Sequence, residues 1–443
     1  MFDRIRTSSV HPSPARVAFA VCTLLSGLFL LGCGSDQSAP PATSTVTSAA
    51  NRPSFDPPKV FSAQAVSKIN TPDPKYWSRE CTLYDGTALC ASRQGTLVAT
   101  DPLNGKQAWQ ASPTVSPIGT SPVRDHGVIH APIVHGDTVI AAFGGSVPAS
   151  GTVPEKAAIE VIAVEVGTGR RLWNTVIDLG AASGSRQLPI STLATIKVVA
   201  VTANAVVITG RTPLLAGDRN ATWVIDPQSH QIRWLADEFV AEYANDDAVI
   251  GDGKAGTGHN ARRGRSIDDG REMWSAPVAG DGTRYLTANT PNVAFIERYK
   301  AFELVDPVTG QPHYTMSDPS ADPLKKTWQC VYDQRQIIVC QNKTQILGFD
   351  ITNPAKPLWE FGSDNSRVPP AMTAAYHGVI YGLNSSQRPI ALDARTGQDL
   401  PDNPMIAPTL VDRYVGIAAV DVPGTFKVDM FRETLGWVYQ PQA

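Results

Sequence analysis

The stretch "ATDPLNGKQAW", Ala99 to Trp109, has a form that returns along the chain. An apolar run ends at an acidic residue, a turn places glycine four residues later, and an aromatic residue stands four residues beyond the glycine. "ALDARTG", Ala391 to Gly397, is another copy. A strand–turn–strand unit that returns at a fixed period is typical of a repeat architecture.

Seven copies of this frame follow one another. The acidic position holds Asp101, Glu165, Asp226, Ser266, Asp306, Asp350 and Asp393. The turn glycines are Gly105, Gly169, Gly270, Gly310 and Gly397. The aromatic position holds Trp109, Trp173, Trp234, Trp274, Tyr314 and Trp359, with Leu400 in the last copy. Successive acidic positions lie 64, 61, 40, 40, 44 and 43 residues apart. A period of about 40 residues is typical of one four-stranded β-propeller blade.

The sequence therefore predicts an all-β fold, a single propeller of four-stranded antiparallel blades over residues 59–443. We expect eight blades, because Ala407 to Thr434 supplies three more strands after the seventh copy; seven blades is the alternative. The apolar stretch Val60 to Val66 is expected to add the outer strand of the last blade and close the ring. Long gaps carry extra loops, one of them Gly144 to Lys156.

Local turns predict two cross-strand cysteine pairs. Asp85-Gly86 is a two-residue hairpin turn, since glycine tolerates a positive φ, and this register sets Cys81 opposite Cys90. A loop over 334–336 likewise sets Cys330 opposite Cys340. Opposed antiparallel residues lie within the reach of a disulfide. We expect two local disulfides; metal binding by these four cysteines is the rival, but they lack the tight pairs of zinc sites.

The N-terminus has the features of an export signal. Arginines at 4, 6 and 16 precede 16 uncharged residues from Val17 to Gly32, which is short for a membrane span. Leu30-Leu31-Gly32-Cys33 resembles the box of a bacterial lipoprotein signal, which implies cleavage before Cys33 and lipidation there. An ordinary cleaved signal and a short uncleaved anchor remain alternatives. Lipidation also accounts for the odd cysteine left once Cys22 is removed with residues 1–32.

Residues 33–58 are rich in Ser, Thr, Pro and Ala and poor in large apolar side chains. Such a segment buries too little surface to offset its ordering entropy, so we expect a disordered tether. Its root-mean-square reach is about 25–30 Å.

The repeat frame resembles the PQQ-type β-propeller repeat, which quinoprotein dehydrogenases share with BamB-like outer-membrane assembly lipoproteins. The resemblance covers about residues 78–400. Quinoprotein enzymes of this kind hold a quinone and a calcium ion over the axis, with an Asp base and often two adjacent cysteines. This chain has no adjacent cysteines and few long insertions. We therefore expect a scaffold with no cofactor and no catalytic residues, since a fold alone does not fix a function.

Three other sequence motifs give little support for a functional site. His126, His130 and His135 lie at offsets that do not converge on a strand, so we expect no metal site. "GDGKAG", Gly251 to Gly256, lies between strands, not before a helix, and is expected to be a loop. Arg262-Arg263-Gly264-Arg265 is expected to be a solvated loop, and a net charge of -3 argues against nucleic acid.

Together these features predict an exported protein, anchored by lipid to the bacterial cell membrane, that serves as a binding or assembly scaffold for a protein or cell-envelope partner. The alternative is an envelope enzyme with an active site at the propeller axis, acting on carbohydrate or using a quinone.

Overall fold

The structure is a computed structural model that describes the greater part of the chain from residue 52 onward. The described residues are 52–70, 81–92, 95–117, 128–179, 195–212, 219–254, 260–277, 284–285, 290–298, 301–317, 328–342, 344–362, 367–419 and 435–443. The predicted signal peptide, Cys33, the tether up to residue 51 and His126 lie outside them. Within the described ranges, no helix is long and apolar enough to cross a membrane.

The strands of each blade pair antiparallel with one another, and seven of the eight blades are built from consecutive stretches of sequence. In blades 1 to 4 the strands are, in order, Cys81–Tyr84, Thr87–Ser92, Thr96–Asp101 and Lys106–Ala111; Ile133–His135, Thr138–Val147, Lys156–Glu165 and Arg171–Asp178; Thr195–Val201, Val206–Thr212, Arg219–Ile225 and Ile232–Asp237; Phe239–Ala244, Ala248–Lys254, Asn260–Ser266 and Glu272–Pro277. Two short strands, Ser116–Pro117 and Val128–Ile129, add to blades 2 and 3.

Blades 5 to 8 repeat this arrangement with two departures. Their strands are Arg284–Tyr285, Ala294–Arg298, Ala301–Val305 and Pro312–Ser317; Gln329–Tyr332, Ile337–Gln341, Ile346–Asp350 and Trp359–Phe361; Ala371–Tyr376, Val379–Leu383 and Pro389–Asp393; Leu410–Val411, Gly416–Ala419, Leu435–Tyr439 and Ser67–Asn70. In blade 7 a single bridge, Leu392 to Asp399, stands in place of the fourth strand, because Pro401 follows at once and lacks the N–H that a ladder needs. Blade 8 takes its fourth strand from the N-terminal part of the chain.

The blades close into a ring. The first strands of blades 1 to 4 contact one another in succession, as do those of blades 6 to 8, and the first strand of blade 1 contacts the first strand of blade 8. The first strands therefore line the axis and the fourth strands lie at the rim. The fold is an all-β, eight-bladed propeller, which confirms the predicted class and the larger blade number.

Ring closure is confirmed, but at other residues than those predicted. Ser67–Asn70, not Val60 to Val66, pairs with Leu435–Tyr439 and completes blade 8. Val60–Phe61 pairs instead with Pro441–Gln442. The reason is packing: the ring of Phe61 is fully buried between blades 7 and 8, which holds this short strand away from the rim. The third C-terminal strand also lies beyond the predicted end at Thr434.

Apolar clusters fill the spaces between neighbouring sheets. One joins blades 2 and 3 around Ile159, Ile208 and Trp223, and another joins blades 5 and 6 around Phe302 and Phe349. A single blade leaves one sheet face uncovered, whereas stacking around the axis buries both faces. This is why strands such as Lys156–Glu165 are buried along almost their whole length.

Two sequence-based expectations for loops are wrong, and a third is confirmed only in part. The arginine run lies in the third strand of blade 4, where Arg262 is only 2% exposed and pairs with Glu303 of blade 5 at 3.2 Å. The described part of "GDGKAG" belongs to the second strand of blade 4; there a Cβ on Gly251 would meet the carbonyl oxygen of Val240 at 2.0 Å. The segment 144–156 lengthens both strands of a hairpin in blade 2, so that only 148–155 is a loop.

Candidate functional site

The acidic and glycine positions of the repeat build one kind of turn. The amide at the glycine position donates to the carbonyl oxygen of the acidic position, at 2.9 Å from Gly310 to Asp306 and 2.8 Å from Gly397 to Asp393. The carboxylate of Asp306 also accepts the amides of Val308 and Thr309, both at 2.8 Å. Burial opposes ionisation, yet these amides hold the pKa of Asp306 below its ordinary value. The repeat aspartates are therefore structural caps.

The aromatic position locks each blade onto the next. The indole N–H of Trp109 donates to the carbonyl oxygen of Val166 in blade 2 at 2.7 Å. Trp234, Trp274 and Trp359 make the same bond to Ile267, Pro307 and Ala394, the residue after the acidic position in the following blade. The indole ring covers the turn glycine of that blade, so that a Cβ on Gly310 would lie 2.5 Å from Trp274.

Departures from the frame are compensated locally. In blade 3, His230 takes the glycine position at φ 60°, and its ring stacks on Trp173 with centroids 5.1 Å apart. Between blades 5 and 6, Tyr314 packs edge-on against Phe349 at 4.9 Å. Between blades 8 and 1 the hydroxyl of Ser67 donates to the carbonyl of Pro102. Pro102 follows the acidic position Asp101, and at other blade interfaces a tryptophan donates to the equivalent carbonyl.

Both cysteine pairs are joined in the structure. Cys81 lies opposite Cys90 and Cys330 opposite Cys340, and each pair is disulfide-bonded with Cα atoms 4.1 Å apart. Each bridge staples the first two strands of one blade, next to the axis. The register predicted from the Asp85-Gly86 turn is confirmed.

Residues that composition assigned to the tether instead cross one end of the propeller. We call Arg52–Phe61 the clasp. The guanidinium of Arg52 pairs with Asp101 of blade 1 at 2.7 Å, and both side chains are largely buried. The amide of Phe55 donates to the carbonyl of Arg413 in blade 8 at 2.8 Å.

The middle of the clasp reaches two further blades. Asp56 pairs with Arg335 of blade 6 at 2.8 Å and contacts the ring of His377 in blade 7. The hydroxyl of Tyr381 in blade 7 donates to the carbonyl of Pro58. Phe61 then packs against Tyr381, with ring centroids 6.0 Å apart. Sequence reasoning missed the clasp, because a lone Arg, Asp or Phe in a Pro-rich segment carries no periodic signal.

The clasp lies over the seam where the two ends of the chain meet. Asp412 of blade 8 is 4% exposed and accepts the amide of Gly86 in blade 1 at 2.6 Å. Burial raises the pKa of Asp412, although the amides of Tyr414 and Val415 also donate to its carboxylate. Beside it, Arg413 pairs with Asp85. Blades 8 and 1 are thus joined by these polar contacts in addition to an apolar cluster around Ile69 and Ala88, whereas Trp109, Trp234, Trp274 and Trp359 join other blades.

Exposed apolar side chains occur on the fourth strands of three consecutive blades, at the rim of the propeller. We call this set the side stripe: Leu172, Val176, Ile232, Leu235 and Met273, of the fourth strands of blades 2, 3 and 4. Each is between 38% and 41% exposed. In the fourth strand of blade 1 the exposed positions are polar, including Gln107 and Gln110. The fourth strand of blade 1 thus carries polar side chains at its exposed positions, whereas the fourth strands of blades 2, 3 and 4 carry the apolar side chains of the stripe.

The histidines do not gather. His135 is exposed at the end of the first strand of blade 2, and His130 lies before that strand. Among the described residues, no group of three or more His, Cys, Asp or Glu is arranged to hold a metal ion.

The chain is similar to several known proteins. Residues 60–263 match the family model described as outer membrane protein assembly factor BamB. The computationally designed protein Ika8 is 14% identical, with 85% of this chain and 99% of that chain covered and a TM-score of 0.50. BamB from Moraxella catarrhalis is 13% identical over 81% of each chain, with a TM-score of 0.37.

A quinohemoprotein alcohol dehydrogenase from Pseudomonas putida HK5 is 11% identical, covering 88% of this chain and 79% of that one, with a TM-score of 0.49. No curated protein matches the chain. The strand order and the family match lead to one conclusion: this chain is an eight-bladed β-propeller, and its residues 60–263 are similar to the family described as outer membrane protein assembly factor BamB.

Proposed function

We propose that the protein is an exported, lipid-anchored propeller that acts as a binding or assembly scaffold at the outer face of the bacterial cell membrane. The observation that carries this proposal is the use of the repeat residues. The aspartates cap turns, the glycines fit under indoles and the tryptophans lock blades, so the part of the chain that resembles quinoproteins is occupied with packing.

Export is supported by the two disulfides, which persist in oxidising compartments and are rare in the cytosol. Anchoring is supported by the Leu30-Leu31-Gly32-Cys33 box. Metabolic labelling with a clickable fatty acid tests both. Wild-type protein should take up label and Cys33→Ala should not, while the variant keeps the melting temperature of the propeller. Label in both proteins, or in neither, contradicts the anchor.

The side stripe supports a protein partner. Five exposed apolar side chains lie on the fourth strands of three consecutive blades, and exposed apolar surface of this kind is typical of protein interaction sites. The stripe also lies on fourth strands, whose outer edges carry backbone groups that the blade itself leaves unpaired. We propose that an envelope protein binds here, in the manner suggested by the assembly role in the name of the matching family.

Site-specific photo-crosslinking tests the partner surface in intact cells. A photoreactive residue at Leu235 should give a discrete adduct with another protein. The matched control is the same photoreactive residue at Gln110, which also directly follows the repeat tryptophan, in blade 1. Leu172→Asp and Val176→Asp together should abolish the adduct formed from Leu235, without a change in melting temperature. Equal adducts at Leu235 and Gln110 contradict the assignment.

The competing proposal is an enzyme with a quinone over the axis. We propose that the protein lacks this activity. Titration of the purified protein with pyrroloquinoline quinone and calcium should leave the absorbance of the quinone unchanged, with no oxidation of alcohols or sugars. Stoichiometric binding with a matching absorbance change would replace the scaffold proposal by the enzyme.

A further inference from the structure

The two ends of each blade differ in their connections. The turn between the first and second strands and the turn between the third and fourth strands lie at one end, which we call the turn face. Backbone bonds confirm the pairing of these turns: the amide of Ala394 donates to Gly378 at 2.8 Å, and that of Val166 donates to Asp137 at 2.8 Å. The remaining connections lie at the opposite end, the loop face.

The first part of the clasp, Arg52 to Asp56, binds the turn face. Its partners are Gly86 and Asp101 in blade 1, Arg413 in blade 8, His377 in blade 7 and Arg335 in blade 6, all in the turns of that end. Four blades thus fix the position of this segment, and Arg52, its first residue, lies on the turn face beside blade 1.

The length of chain before Arg52 limits which end of the propeller approaches the membrane. Eighteen residues, Gly34 to Asn51, separate Cys33 from Arg52. A flexible chain of this length has a root-mean-square reach of about 23 Å. A six-residue strand such as Thr96–Asp101 spans about 20 Å, which separates the two faces. Placing the loop face on the membrane would require the tether to span the full height of the ring, about 20 Å of its reach of about 23 Å, whereas the turn face can approach the membrane without using that length.

We propose that the clasp orients the propeller with its turn face toward the lipid surface and its loop face and side stripe toward partners. This inference rests on the proposed anchor at Cys33. In this orientation the fourth strands stand steeply to the membrane, and a partner binds the stripe from the side.

Energy transfer to labelled lipid tests the orientation. A donor dye is attached to Gln228→Cys on the turn face of blade 3, or to Ser385→Cys on the loop face of blade 7; both positions are exposed. The lipidated full chain is reconstituted in vesicles carrying a headgroup acceptor. Transfer from position 228 should be about twofold higher than from 385, since one strand length of about 20 Å separates the faces. Equal or reversed efficiencies overturn the proposal.

A second preparation tests the orientation of the propeller independently of the proposed lipid anchor. A hexahistidine tag in place of residues 1–33 holds the same tether to nickel-chelating lipid. If the native chain fails to bind vesicles but the tagged chain keeps the difference between positions 228 and 385, the anchor is wrong and the orientation stands. Arg52→Ala with Asp56→Ala should reduce the difference, whereas Arg170→Ala, which breaks an exposed pair elsewhere on the turn face, should preserve it.

Discussion

The indole N–H of Trp274 in blade 4 donates to the carbonyl oxygen of Pro307 in blade 5 at 3.0 Å, and the ring lies against Gly310 of the same turn. One side chain thus supplies a hydrogen bond and a fitted surface across a blade interface. The glycine serves both purposes, because its φ of +72° disfavours other residues and its missing Cβ leaves room for the ring.

Gly310→Ala should lower the free energy of unfolding, because the methyl group would meet the Trp274 ring at 2.5 Å in a backbone conformation that strains alanine. Trp274→Ala should cost about 3–5 kcal/mol. In the double variant the steric part of the Gly310→Ala penalty should disappear, while the backbone strain remains. Urea denaturation of the four proteins measures this coupling; strictly additive penalties would contradict the proposed contact.

Removing the disulfide of blade 6 should destabilise the propeller without changing its fold. Cys330 and Cys340 are separated by 10 residues, and closing a loop of this size stabilises by about 2–3 kcal/mol in the chain-entropy model. Cys330→Ala with Cys340→Ala should lower the melting temperature. Dithiothreitol should lower the melting temperature of the wild type, but it should not change the melting temperature of a variant that lacks both disulfides. A reductant-insensitive wild type would show that the pairs do not form.

Local features of this fold could be predicted from sequence. The Asp85-Gly86 turn fixes a register, and the register sets Cys81 opposite Cys90. The acidic-to-aromatic spacing repeats because each blade must present the same turn to its neighbour. The link between blades 3 and 4 is equally local: Glu238, at φ 55°, is the single residue between the strands Ile232–Asp237 and Phe239–Ala244.

Long-range contacts could not be predicted in the same way. Asp56 meets His377 across 321 positions, and Gly86 meets Asp412 across 326. No periodicity marks such pairs, since each is a single polar contact at the seam. The arginine run was misassigned for a related reason: a charged residue indicates exposure unless its partner is known, and the partner of Arg262 lies in the next blade.

The repeat aspartates should make stability sensitive to acid. Hydrogen bonds from Arg233 and from the amides of Ser229 and Gln228 lower the pKa of Asp226 far below its ordinary value. The unfolded chain therefore binds protons first as pH falls. This stabilisation is complete above the unfolded-state pKa of about 4 and is lost as pH falls through the folded-state pKa.

Melting temperatures measured from pH 7 to pH 3 check this effect. The wild type should lose stability below about pH 4, where aspartate in the unfolded chain becomes protonated. Asp226→Asn should be less stable at pH 7 and show a shallower decline. Asp402→Asn, at an exposed position between blades 7 and 8, is the control and should follow the wild type. Parallel curves for wild type and Asp226→Asn would contradict the assignment.

Removing only one partner of the buried ion pair between blades 4 and 5 should lower the free energy of unfolding more than removing both partners. Arg262 is 2% exposed and Glu303 is 8% exposed, with 3.2 Å between Nη1 and Oε2. Arg262→Met leaves the Glu303 carboxylate buried without its partner, and such a change costs about 3–5 kcal/mol. Arg262→Met with Glu303→Gln removes both charges and should recover much of this loss. Urea denaturation of both variants decides the matter, with Arg263→Met, whose partner Glu272 is 40% exposed, as the control expected to cost less. A double variant no more stable than Arg262→Met would show that packing of the arginine stem, not charge pairing, holds this interface.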